Sequence, residues 1–435
     1  MDLNYFKDRY ESLQTESEGN VLASLRSQSF AAFEKEGLPT NRTEEWKYTA
    51  ISNLFDVDYG NSSFRPIVDL PAGDLEDMRI PGYHKANQLV FVNGQYSAGL
   101  SSILSAPSEL VIMSLKDALS GSYHELVTEH LDKSSDYIKD GIHALNGAML
   151  SDGLFIYVPK GKEVQHPVYV YHILDARVEP VLAQPRGLVY VSENSKLQLI
   201  ETYKTIGNED SLINQVLEIV VAQDTHIEYY KIQNDKTNAS QVGTTHITQT
   251  GKSYVHTVTV TLSGGILRNN VNLILDAANN EAHLYGLYLL KGKTHADNHT
   301  LIDNRQPGCF SNQLYKGIAD GASTAVFNGR IMVQPDAQKT NAYQSNKNIL
   351  LSDHATINAK PQLEIFADDV KCSHGCTVGQ LDQEALFYLR ARGVPKDQAE
   401  VLLLQAYSAD IVAQIKPMAL RAFVEKLIFD HLSIS

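Results

Sequence analysis

The chain has 435 residues, 43% of them hydrophobic, and a formal net charge of −14 at pH 7. That length exceeds one ordinary globular core and implies two or three structural regions or a repeat fold. The acidic balance and the lack of any Lys/Arg run argue against nucleic acid and anionic membrane as partners, and no apolar run approaches the roughly 18 residues that would span a bilayer.

Met1 to Tyr10 is charged throughout and carries neither the apolar stretch nor the small-residue cleavage site of a leader. With only three cysteines, the protein is expected to be cytoplasmic and free of disulfides. Residues 3–36 have helical composition and end at the stop-and-turn signal Gly37-Leu38-Pro39. Arg42 to Thr49 follows with the only tryptophan, Trp46. Up to residue 145, short strands such as Gln88–Val92 mix with helix-like stretches. Residues 1–145 are therefore read as a helical or mixed N-terminal region.

From there to residue 380 the pattern is short alternating strands between Asn/Asp/Gly/Ser turns. Val258, Val260 and Leu262 share one face, with Thr257, Thr259 and Thr261 on the other. Val271, Leu273 and Leu275 oppose Asn270 and Asn272. Ile357 and Ala359, then Leu363 and Ile365, repeat the pattern. This reads as strands with one buried face. Polar turns open strands near Ser195, Asp224, Lys252, Asn280, Gly321 and Asp353, at intervals of roughly 26 to 32 residues with one longer gap, which predicts a β-solenoid over 146–380. Residues 381–435 read as helices. One ends at Gly393, the next starts at Pro395 and carries Val401, Leu404, Ile411, Val412 and Ile415 as a stripe, and the third, after Pro417, carries Leu420, Val424, Leu427 and Ile428. Such a bundle could cap the solenoid or dock a partner.

The most informative segment is Asp368 to Gln380, which holds two of the three cysteines. In an extended chain Cys372, His374 and Cys376 line one side, while Lys371, Ser373 and Gly375 line the other. Thiolate and imidazole are ligands for iron–sulfur, zinc and copper sites. The competing reading is a buried, inert set, since the run lacks a second ligand pair. His283, His295 and His299 fall close in sequence, and read either as a metal or proton-transfer site or, preferred here, as turn and surface histidines. There is no phosphate-cradling loop, dinucleotide fingerprint or nucleophile elbow.

Ala337 to Gln344, Leu350-Leu351-Ser352, Pro361 to Ile365, Ala367 to Gly375 and Phe387 to Gly393 together resemble the SufB/SufD family of SUF iron–sulfur cluster assembly scaffolds, and its SufD type most. Arg42 to Thr49, Ser311 to Gly317 and Phe327 to Arg330 fit the same pattern. The resemblance implies a right-handed parallel β-helix core flanked by an N-terminal helical region and a C-terminal helical domain. It also implies pairing with a SufB-like paralogue and a grip on a SufC-like ABC ATPase through the C-terminal helices, with no turnover by this chain itself. His374, with Cys372 beside it, would face a partner cysteine where a transient cluster is shared between the two chains. The family usually has Ala at Cys376, and often His at Asn304 and Gly308 around the Cys309 segment, so no metal role is carried over to these positions. SufB paralogues usually carry a multi-cysteine region that this chain lacks, its cysteines being Cys309, Cys372 and Cys376. Whether a flavin binds the assembled complex, and whether the isolated chain forms a homodimer, stay open. The alternatives are a β-helix enzyme acting on carbohydrate, or a homodimeric metal-binding protein on the same fold.

Overall fold

Two strands and two turns make one coil of this chain, and about eight coils stack into a parallel β-solenoid with helices at both ends. The computed structural model describes residues 3–15, 21–59, 70, 73, 76 and 78–433. One sheet starts at the hairpin Asn87–Val92/Gln95–Tyr96 and runs through Val168–Ala176, Lys196–Gly207, His226–Asn234, Tyr254–Ser263, Glu281–Leu290, Phe310–Ala319 and Asn341–Leu350 to Lys371–Gln380. The other starts at Val111–Ser114 and Leu154–Val158 and runs through Arg186–Val191, Ser211–Val221, Ala239–Gln249, Ile266–Leu275, His295–Asn304 and Thr324–Val333 to Thr356–Ile365. Beyond these two antiparallel starting pairs the described strands pair parallel, as coil-on-coil stacking requires.

The turn spacing was a sound guide with one flaw. Ser195, Asp224, Lys252 and Asn280 lie on one edge of the solenoid, and Gly321 and Asp353 on the opposite edge. The longer gap in the sequence is a change of edge, and the missing turn of the first series is Gln306 to Cys309, just before Phe310–Ala319.

The expectation of one buried face per strand fails in the middle coils, where both faces are covered. The interior between the sheets is apolar along Leu197, Leu199, Ile227, Leu273, Leu284 and Phe327. In Tyr254–Ser263, however, Thr257, Thr259 and Thr261 face inward, while Val258, Val260 and Leu262 face outward against the C-terminal helices. The inward threonines are tolerable because their hydroxyls are bonded. Thr261 donates to Gln233 at 2.7 Å, and Asn269 reaches the same oxygen at 2.9 Å. Buried Lys231 belongs to this polar interior; burial pulls its amine down to about 8, against the pull of Glu201.

The outer face of the second sheet is covered by N-terminal elements. Helices Leu3–Thr15 and Val21–Glu36 match the expected helical stretch, of which residues 16–20 lie outside the described residues. Phe6, Phe30, Phe33, Trp46 and Phe55 join Ile142 and Leu145 over Leu182, Leu212 and Val242.

The C-terminal helices are Gln383–Ala391, Lys396–Val412 and Met418–Ser433. Gly393 takes the left-handed conformation, with φ 89°, that ends the first of them. They do not cap the solenoid. Leu404, Ile411, Ile415, Leu420, Val424 and Ile428 pack sideways onto the outer face of the first sheet. Polar ties fix the contact: His256 to the Gln414 carbonyl at 2.8 Å, Lys316 Nζ to Asp410 at 2.5 Å, and Lys416 to Glu228 at 3.2 Å.

Burial opposes the charge on Glu228, but hydrogen bonds from His226 and Tyr230 and the nearby Lys416 outweigh it and hold the carboxyl at about 2. A depressed carboxyl stabilises the fold above its ordinary value of 4.5 and ceases to do so as pH falls through about 2. Melting temperature should therefore drop across that acid window. Glu228→Gln should melt lower at neutral pH and lose less on acidification, whereas an unchanged acid profile would remove Glu228 from the docking contact.

Candidate metal centre at the open end of the solenoid

Because the helices lie along the side, nothing among the described residues stacks on the last coil. Lys371–Gln380 pairs in register with Asn341–Leu350 on one edge only, and Thr356–Ile365 likewise pairs only with Thr324–Val333. Both sheets thus end side by side in rows of unpaired backbone N–H and C=O groups. Isolated proteins normally protect such edges, and partners can extend them.

Register settles which way the Cys/His strand faces. Cys372 lies beside Ala342, His374 beside Gln344 and Cys376 beside Asn346. All three neighbours are buried at 3% or less, within the solenoid interior. The alternation expected from the sequence is therefore present, and its Cys/His side is the inward one. Cys372 is half-buried and packs against the central core, while Cys376 is exposed and lies 3.5 Å from Asn346 Oδ1. His374 is exposed because no further coil covers it. Burial raises both thiols, more than offsetting a backbone hydrogen bond at Cys372, so both favour the protonated form at neutral pH.

The layer beneath is polar and mostly satisfied. Asn346 donates to Tyr288 at 2.9 Å and accepts from Asn348 at 2.6 Å. Gln344 donates to Gln313 at 3.0 Å, and Gln313 donates to Thr300 at 2.5 Å. One atom is left over: Gln344 Oε1 is buried without a partner, in the register row beside His374.

Other sequence candidates lie elsewhere. Cys309 is fully buried at a turn, its thiol 3.2 Å from the Gln306 carbonyl, and burial raises its pKa. Gly308 there has φ 72°, and a Cβ would come within 2.5 Å of Asn279 Oδ1. Asn304 donates to the Met332 carbonyl at 3.1 Å. His283 sits outside the first sheet among Tyr254, His256, Tyr285 and Phe310. His295 and His299 sit outside the second sheet, so the three histidines form no common site. His295 meets Thr49 at 2.9 Å, and His299 meets Asp297 at 3.1 Å and Glu45 at 3.3 Å.

What sequence reasoning missed is the clasp that Arg42 to Thr49 forms on that face. Arg268 bonds Asp297 at 2.6 Å and the Glu45 carbonyl at 2.8 Å, and its guanidinium lies 4.3 Å over the Trp46 ring. The Trp46 indole donates to Asp140 at 2.9 Å. The signal was a buried-type Trp between charges, without a partner near in sequence.

Among the described residues no three His, Cys, Asp or Glu side chains converge as a set able to hold a metal. At the open end, this chain supplies one imidazole and one or two thiols on the inward face of its last strand, left uncovered because no further coil lies over them among the described residues. That is part of a ligand set, and a second surface placed against the end could complete it.

Thiol alkylation checks the geometry. Cys376 should react first and Cys372 more slowly, both faster as pH rises, with Cys309 protected until the chain unfolds. Early labelling of Cys309 would contradict the packing at its turn.

Comparison with known proteins gives a consistent picture. The model of the SUF system FeS cluster assembly SufBD core domain matches residues 172–407, and that of the SufBD N-terminal region matches residues 3–170. An iron–sulfur cluster assembly SufBD family protein of Synechocystis is 30% identical over 94% of this chain and 90% of its own length. The iron–sulfur cluster assembly protein SufD of Escherichia coli is 28% identical over 93% of this chain and 92% of its own. SufD of Bacillus subtilis is 26% identical over 66% and 68%.

Proposed function

The chain belongs to the SufBD family of the SUF iron–sulfur cluster assembly system, and on that premise we propose that it is a scaffold subunit whose cluster site is completed by a second protein. The observation that carries this is the open last coil, with exposed His374 and half-buried Cys372 on the inward face of its edge strand. A site meant to release its product gains from being divided, because separation of two surfaces dismantles it. The proposed partner is a SufB-like paralogue of the same fold, which would bring its own last coil against this one and add a thiolate. An imidazole N–H turned onto the unpartnered Gln344 oxygen would fix the His374 ring and leave its other nitrogen free for iron.

The second proposed contact is with a SufC-like ABC ATPase. Phe387, Tyr388 and Met418 are 73%, 58% and 83% exposed on the C-terminal helices, the most exposed of their large apolar side chains. Exposed aromatic and Met side chains on a rigid element are typical interface anchors. No ATP chemistry is assigned to this chain itself, in keeping with the absence of any phosphate-cradling loop from its sequence.

Co-expression with the paralogue and the ATPase, followed by capture on this chain, tests both contacts. Deleting the helices would expose Val258, Val260 and Leu262, so surface substitutions serve better. Phe387→Asp with Met418→Asp should lower ATPase capture by about tenfold or more while circular dichroism melting stays near wild type. Undiminished capture would place the ATPase elsewhere.

A further inference from the structure

A cleft of about 300 Å³ opens on the far side of the molecule from the C-terminal helices, between the second sheet and the clasp around Trp46 and Tyr137. Its floor includes a single register row, Asn272, Leu301, Arg330 and Gln362, contributed by four successive strands.

The hydrogen-bond accounting of its walls is lopsided. The carboxylates of its lining are engaged: Glu45 with His299 at 3.3 Å and Asn328 at 3.2 Å, and Asp140 with the Trp46 indole at 2.9 Å. Two donors are not. Asn272 is only 5% exposed, yet its Nδ2 has no partner. Arg330 has Glu364 at 3.8 Å, too far for a hydrogen bond. A buried amide without a partner, beside a guanidinium whose acids Glu364 and Glu45 act on it through space without a hydrogen bond, favours a ligand that carries negative charge and further acceptors. The two donors stand two strands apart, roughly 10 Å at ordinary strand spacing. Leu301, between them, offers only apolar surface.

We propose that this cleft binds a small, flat organic carboxylate. The carboxylate sits on the Arg330 fork, the ring lies over Leu301, and an oxygen at the far end accepts from Asn272 Nδ2. The inference rests on these residues alone and is independent of the cluster site.

Trp46, the only tryptophan of the chain, lines the cleft, so its emission reports occupancy. Full-length protein titrated with 4-hydroxybenzoate should show a saturable change in that emission, and Arg330→Gln should weaken binding by about tenfold or more. Arg330 is partly exposed, so the variant should fold, which its melting curve checks. Asn272→Ala should weaken 4-hydroxybenzoate but leave benzoate, which lacks the far oxygen, unaffected. No saturation by about 10 mM, or equal binding by wild type and Arg330→Gln, would overturn the proposal.

Discussion

The in-register parallel stacking of one coil on the next is the constraint on which the rest of the molecule depends. Each coil satisfies its backbone only through its neighbours, so the stack must end somewhere with an unsatisfied edge. At the N-terminal end the parallel stack is closed off by two short antiparallel pairs, Asn87–Val92 with Gln95–Tyr96 and Val111–Ser114 with Leu154–Val158. At the other end it is not. Lys371–Gln380 and Thr356–Ile365 are left side by side, and the only Cys/His strand of the protein is one of them. Chemistry and unfinished architecture coincide there, and that coincidence connects fold to function.

The same stacking explains how the flanking regions are used. A parallel sheet is most stable with both faces covered. The N-terminal helices and clasp cover the second sheet, and the C-terminal helices cover the first. Neither region crosses the open end. The C-terminal helices are therefore bound to the side of the solenoid through apolar stripes and the Glu228–Lys416 and Lys316–Asp410 pairs, with Phe387 and Met418 still outward. A partner seated on those helices and a partner seated on the open end would not compete for the same surface.

The sequence carried the repeat, the strand content, the three C-terminal helices and the shared face of Cys372, His374 and Cys376, because each depends on short-range periodicity. It did not carry what depends on distant segments. In Tyr254–Ser263 the alternation was plain, but which face would be covered was decided by helices well over a hundred residues later, and the threonines went inside. Likewise Thr49 bonds Asp297 across 248 residues, and no local pattern marks either as the other's partner. Gln344 is invisible as a neighbour of His374 until register places it one coil below. Family resemblance supplied the meaning of the Cys/His strand, and the geometry supplied the reason it stands open.

The central claim is that His374 serves a cluster site completed across two chains, and not the stability of its own. Its side chain is exposed on an edge strand, so His374→Ala should leave the melting temperature and complex assembly near wild type. Reconstituting iron–sulfur cluster on the full complex and reading its visible absorption tests the claim most directly. The account predicts that His374→Ala abolishes or sharply reduces the cluster while Cys376→Ala is nearly silent. Normal cluster assembly in His374→Ala, or its loss in Cys376→Ala instead, would contradict it.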